Sequence, residues 1–155
     1  TNMTIIYELK ILLNIVIAAF LCGLIGLQRE QQGKPAGLRT NMIVGGAATL
    51  LVSLGEVIVL HFRELGMEQL VRADPTRIIH AIILGTSFIG AGVILQVQKE
   101  YTVKYLTTAA TILFSTGIGI SVALKQYILA IGVTLFALFI HFVITYFERR
   151  MYKKE

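Results

Sequence analysis

The sequence is poor in charge and in cysteine. Only 15% of its 155 residues are Asp, Glu, Lys or Arg, against roughly 25% in a soluble domain. The single cysteine, Cys22, lies inside an apolar run, so no disulfide can close within the chain and no redox framework is expected. A Walker A loop, a GxSxG elbow and CxxC and HExxH motifs are all missing. Soluble-enzyme chemistry, a cofactor and a bound metal are therefore not expected. The opening "TNMTIIYELK" lacks a basic stretch and a small-residue cleavage site, which argues against a removable signal peptide. The net charge is +5, but the basic residues punctuate apolar runs and do not line one face, so nucleic acid is not the expected partner.

Hydrophobicity is what the chain has in abundance. It is 55% hydrophobic with a mean hydropathy of +0.75. Ile11–Gln28 and Tyr105–Leu124 carry no charge, Thr40–Phe62 carries only Glu56, Ile78–Gln98 only His80 as an ionisable group, and Gln126–Phe147 only His141. A membrane helix needs about 20 mostly apolar residues, and lipid excludes open strands. The expected fold is all-α: one integral membrane domain over 1–155 with five spans, at about 9–28, 41–62, 76–98, 105–124 and 126–147. The last two are joined tightly around Lys125 and Gln126. Lys and Arg number nine on the side holding the first loop, the third loop and the tail, against five on the other. The positive-inside rule then places the N-terminus outside and the C-terminus in the cytoplasm.

Small residues recur at helical spacing in the first four spans, among them Gly23, Gly26, Gly85, Gly90 and Gly92. Such positions either let helices approach closely or line a cavity. The fifth span, "LFALFIHFVITYF", is bulky. It is expected at the edge of a tight four-helix bundle or in a homo-oligomer contact. "AATLLVSLG" (Ala47–Gly55) and "AATILFSTG" (Ala109–Gly117) match at six of nine positions with an offset of 62. That match allows a parallel repeat of helices 1–2 and 3–4.

Polar residues gather in two groups. A cytoplasmic group holds Arg29, Glu30, Lys34, Arg39, Thr40, Asn41, Thr107 and Thr108. In its loop, "GKPAGLRT", Gly33, Pro35 and Gly37 shape the backbone, Glu30 can pair with Arg39, and Thr40 can cap the second helix. The ordinary alternative is a solvated positive-inside loop. An outer group holds Glu56, His61, Asp74, Arg77 and His80. Asp74 suits an N-cap and Pro75 the first helical position. Two carboxylates make a thin cation site. His141 stands alone among apolar residues, more simply a neutral histidine than a proton relay.

"GLIGLQRE", "GKPAGLRT", "DPTRI", "GTSFIGAGVI" and "LTTAAT", in this order, resemble the MgtC/SapB family of bacterial membrane proteins over about Leu12–Leu124. The resemblance implies a multi-pass inner-membrane protein with its N-terminus outside. It also implies a link to growth at low Mg²⁺ and to stress adaptation, through modulation of other membrane machinery. Many members continue into a soluble C-terminal domain, whereas this chain stops at Glu155, as a short member would. The segment before "LTTAA" usually has glycine where Tyr105 stands, and a tryptophan common after that motif is missing. Two functions stay open: an accessory or regulatory protein binding other membrane proteins, or a transporter or channel for an ion or small solute.

Overall fold

A computed structural model describes residues 2–66, 74–95 and 105–151. Its described residues form five helices: α1 (Asn2–Gln31), α2 (Leu38–Glu64), α3 (Pro75–Leu95), α4 (Leu106–Ala123) and α5 (Tyr127–Met151). The first four contain stretches long and apolar enough to cross a membrane, and Tyr127–Val143 is a shorter apolar stretch of α5. The all-α membrane bundle read from the sequence is thus the fold. The expected end of the third span, beyond Leu95, lies outside the described residues.

The turns follow from local chemistry. Gly33 is left-handed, with φ of 64°. Its N–H reaches Glu30 O at 3.0 Å, and the N–H of Lys34 reaches Arg29 O at 3.0 Å. This is the glycine-terminated helix end in which two backbone bonds satisfy the last carbonyls. The α4–α5 turn repeats the pattern without glycine. Gln126 N donates to Ser121 O and Lys125 N to Val122 O, both at 2.9 Å, and Lys125 takes the left-handed position at φ 61°. Asp74 caps α3 as expected: its Oδ1 accepts from Thr76 N at 3.0 Å and from Thr76 Oγ1 at 2.6 Å. Pro75 is the first helical residue.

α2 and α4 form the centre. Among the described residues, α1 packs on α2, α4 and α5, while α3 touches only α2 and α4. The apolar core joins Ala18, Cys22 and Ile25 of α1, Ile118 and Val122 of α4, and Ala130 and Ala137 of α5. α5 lies at the edge of the bundle, as expected. It is bulky outward, but Ala130, Thr134 and Ala137 give it a narrow buried stripe that docks on α1 and α4. α3 is as peripheral: only 17% of its apolar window is buried. Between α2 and α3 runs an apolar groove of about 660 Å³, with Gly85 and Thr86 in its wall.

The register of α4 against its neighbours also departs from the 62-residue repeat. Ser115 Oγ donates to Asn41 Oδ1 at 2.7 Å, and Thr49 Oγ1 to Gly119 O at 2.8 Å. The two "AAT" segments are therefore staggered and do not lie side by side. α4 is set by these contacts, not by the sequence match. At its far end, Tyr127 Oη donates to Asn14 Oδ1 at 2.9 Å. The α4–α5 turn thus lies about 22 Å along α1 from Arg29, at 1.5 Å per residue. α1 runs on about 18 Å farther to Asn2.

Candidate functional site

The end of the bundle that carries the α1–α2 loop holds a buried cation. Arg29, in the last turn of α1, is 2% exposed. Its Nη2 donates to Thr108 Oγ1 at 2.5 Å and its Nη1 to Thr111 Oγ1 at 3.1 Å. Nε and Nη2 share Pro35 O, at 3.4 and 3.3 Å. Thr111 Oγ1 in turn donates to Thr107 O at 2.7 Å. One side chain thereby ties α1, the loop and α4 together. Every partner is a neutral oxygen. Among the described residues, no carboxylate lies within ion-pair distance of Arg29.

A second polar layer lies deeper. Asn41 is fully buried. Its Nδ2 donates to Ala36 O at 2.7 Å and Gly37 O at 2.9 Å, and its Oδ1 accepts from Ser115. The Cys22 thiol donates to Ser115 O at 3.4 Å. In an interior with little hydrophobic driving force between helices, such bonds and small-residue contacts define the packing. Below them the bundle closes. A methyl on Gly119 would strike Gly45 O, and one on Gly45 would strike Cys22 Sγ.

The loop is ordered, but not by the expected pair. Glu30 Oε2 accepts from Leu38 N at 2.8 Å, while Arg39 is exposed and makes no ion pair among the described residues. The reason is local: the first N–H groups of a helix have no intrahelical acceptor and attract a carboxylate. Glu30 reaches one of them because Gly37 has no side chain; a Cβ there would lie 2.6 Å from Glu30 Oε2. Thr40 is not the cap. The N-cap is Gly37, without a side-chain hydrogen bond, and Thr40 sits half-buried in the first turn. Thr107 and Lys34 are exposed but line the same cavity as Arg29, with Gln32, Phe114, Ile140 and His141, in a space of about 300 Å³. Thr111, Ser115 and the Pro35 carbonyl complete the network; they lie within "LTTAAT", "AATILFSTG" and "GKPAGLRT" but are not among the expected site residues. The spacing Thr108–Thr111–Ser115 is the one sequence signal that marks that face of α4.

The outer group divides. Glu56 and Asp74 line one cleft of about 540 Å³, together with Lys125. Arg77 is 86% exposed and pairs loosely with Asp74 at 3.8 Å. It lines the α2–α3 groove instead. His80 is exposed and borders neither space. His61 is exposed and meets Phe62 edge-on at 6.3 Å. Among the described residues, no three His, Cys, Asp or Glu side chains gather to hold a metal ion. The expected packing glycines also divide. Gly26 abuts the backbone, where a Cβ would lie 2.6 Å from Gly37 O. A Cβ on Gly23 or Gly90 would meet side chains at 3.0 and 3.3 Å, whereas Gly85 and Gly92 have open space.

The profile of the MgtC family matches residues 15–150. This chain belongs to the MgtC family. Protein SapB of Bacillus subtilis (strain 168) is 34% identical over 128 residues, 83% of this chain and 53% of that protein. Protein MgtC of Salmonella typhimurium (strain LT2) is 36% identical over 129 residues, 82% and 49% respectively. A protein of Escherichia coli (strain K12) named "Putative magnesium transporter YhiD" is 35% identical over 125 residues, 79% of this chain and 54% of that protein. The chain spans about half the length of these relatives. No solved structure matches it significantly. The protein is thus a multi-helix membrane protein of a bacterial membrane family.

Proposed function

We propose that this chain is a non-enzymatic accessory or regulatory protein of bacterial ion homeostasis, linked to Mg²⁺ and stress adaptation. It works through the Arg29 end of the bundle on other membrane proteins or on a second copy of itself. On this reading it sits in the inner membrane, N-terminus outside, with the α1–α2 loop and the C-terminus in the cytoplasm. The charge asymmetry of its loops supports that orientation. The observation that carries the reading is the closed middle of the bundle, where Gly45, Gly119, Ala48 and Cys22 meet. The charge at the loop end agrees with it: a dication entering there would meet Arg29 and Lys34, and among the described residues no acidic side chain lines that cavity.

A transporter is the second reading. It is favoured by cavities at both ends of the bundle and by the name of the Escherichia coli relative. Mg²⁺ flux into liposomes carrying the purified chain separates the two. The accessory reading expects flux no higher than in protein-free vesicles. Robust uptake that Gly119→Leu abolishes, with helical content retained, would overturn it.

A further inference from the structure

We propose that the Arg29 cavity is a binding site for a phosphate-bearing anion, occupied by the headgroup of an anionic lipid. Three independent observations converge there. The first is charge. Among the described residues Arg29 is buried with neutral partners only, and a buried cation without a counter-charge is costly. Hydrogen bonds to hydroxyls and a carbonyl occupy four of its five N–H groups without neutralising it.

The second is donor count. A guanidinium has five N–H groups. Nε and one Nη2 proton go to Pro35 O, the other Nη2 proton to Thr108, and one Nη1 proton to Thr111. One Nη1 proton has no acceptor among these bonds. It belongs to the nitrogen bonded to Thr111, which lines the cavity with Arg29.

The third is the α4 N-terminus. α4 has 18 residues, and its N-cap, Tyr105, supplies no side-chain bond. Thr107, in the first turn, faces the same cavity. The partial positive charge of a helix start therefore lies beside a full positive charge, and among the described residues neither is answered by a carboxylate. Lys34 adds a second cation to the lining. An oxyanion placed there meets an Arg N–H, a helix start and an ammonium, the combination that recognises phosphate.

The remaining lining decides between lipid and free phosphate. Phe114, Ile140 and Ala137 form an apolar wall supplied by α4 and α5. About 300 Å³ is at the small end of ligand cavities. It accommodates a headgroup whose acyl chains continue along α5 into the bilayer. Basic pockets between membrane helices at one leaflet are suited to such headgroups. This inference deepens the proposed function and rests on it only for where the working surface lies. Headgroup binding and solute flux are read separately, so either can fail without the other.

The chain has no tryptophan, so Phe114→Trp makes a single fluorescent reporter in the cavity wall. The full chain carrying it would be placed in nanodiscs of phosphatidylcholine with a minor fraction of lipid brominated on its acyl chains. Brominated phosphatidylglycerol should quench several-fold more than brominated phosphatidylcholine at equal fraction. Lys34→Gln, which leaves the buried network intact, should reduce that preference by about fivefold, and Arg29→Gln should abolish it. If Arg29→Gln does not fold, Lys34→Gln decides alone. A response to millimolar inorganic phosphate without headgroup preference, weakened by Lys34→Gln, supports the oxyanion site but assigns it to a soluble ligand and overturns the lipid. Equal quenching by both lipids and no response to phosphate overturns the proposal.

Discussion

Two glycines of α4, two residues apart, should respond oppositely to the same methyl group. At Gly119 a methyl would run into Gly45 O, 2.9 Å from Ala48 Cβ and 3.1 Å from Gly45 C. Carbon atoms pack at about 3.5–4.0 Å, so α2 and α4 would have to part locally by roughly 1 Å. Overpacking of this kind costs about 1–3 kcal/mol. The separation would also stretch the 2.8 Å bond from Thr49 Oγ1 to Gly119 O beyond useful range, and interhelical bonds in membranes average about 0.6 kcal/mol. The better helix propensity of alanine returns up to about 1 kcal/mol. Gly119→Ala is therefore expected to lose roughly 1–3 kcal/mol. At Gly117 nothing lies within 4 Å, so only propensity acts, and Gly117→Ala should gain about 0.5–1 kcal/mol. Reversible unfolding in mixed micelles titrated with dodecyl sulfate, followed by far-UV circular dichroism, reads both. If Gly119→Ala is as stable as Gly117→Ala, the close α2–α4 contact is wrong, and with it the closed middle of the bundle.

Three further expectations use the same assay or its thermal counterpart. Glu30→Ala should lose about 1 kcal/mol, the worth of a helix cap, while Arg39→Ala should stay within about 0.5 kcal/mol of wild type; equal losses would restore the Glu30–Arg39 pair. Tyr105 holds φ at 69°, a conformation that costs a side chain roughly 1 kcal/mol, so Tyr105→Gly should stabilise the protein; a loss would mean that the ring contributes more than the backbone strain removes. The Thr76 hydroxyl and amide hold the Asp74 carboxyl below its ordinary 3.8. Because the folded value is the lower one, ionised Asp74 stabilises the fold above the unfolded value, and this is lost as pH falls through the folded one. Asp74→Asn keeps the cap but not the titration, so its thermal midpoint should fall less than that of wild type below about pH 4.

The fold was legible because membrane helices are announced by apolar length, and charges mark their ends. Asp74 and Pro75 were legible because a cap and a first-turn proline act within three residues. Gly33 was legible for the same reason. The roles of Glu30 and Arg39 were not. A carboxylate beside both a guanidinium and a free helix start has two partners open to it, and which one it takes depends on the entry angle of α2, set by Gly26 lying against Gly37 and Leu38. The buried state of Arg29 was equally hidden. It depends on Thr108 and Thr111, 79 and 82 residues away, and on a register of α4 that the internal sequence match misstates. Apolar, small-residue sequence matches itself at many offsets, whereas a polar pair such as Asn41 and Ser115 is met at only one.

That register explains why the interior is unequal in firmness. Sliding α4 by one turn would break Arg29–Thr108, Arg29–Thr111, Asn41–Ser115 and Thr49–Gly119 together, and would drive Gly119 off the one place where α2 admits it. Among the described residues, α3 is held across its interface by a single side-chain bond, Thr116 Oγ1 to Thr86 Oγ1 at 3.2 Å. Half of α4's apolar window is buried, against 17% of α3's. Opening α3 therefore exposes little and breaks little, while opening α4 dismantles the Arg29 site. Amide hydrogen exchange in detergent micelles should show α4 protected to nearly the global stability, and α3 exchanging through a cheaper local opening. Equal protection of the two helices would mean that these polar bonds do not set the stability of the bundle, and that the burial of Arg29 is incidental to its packing.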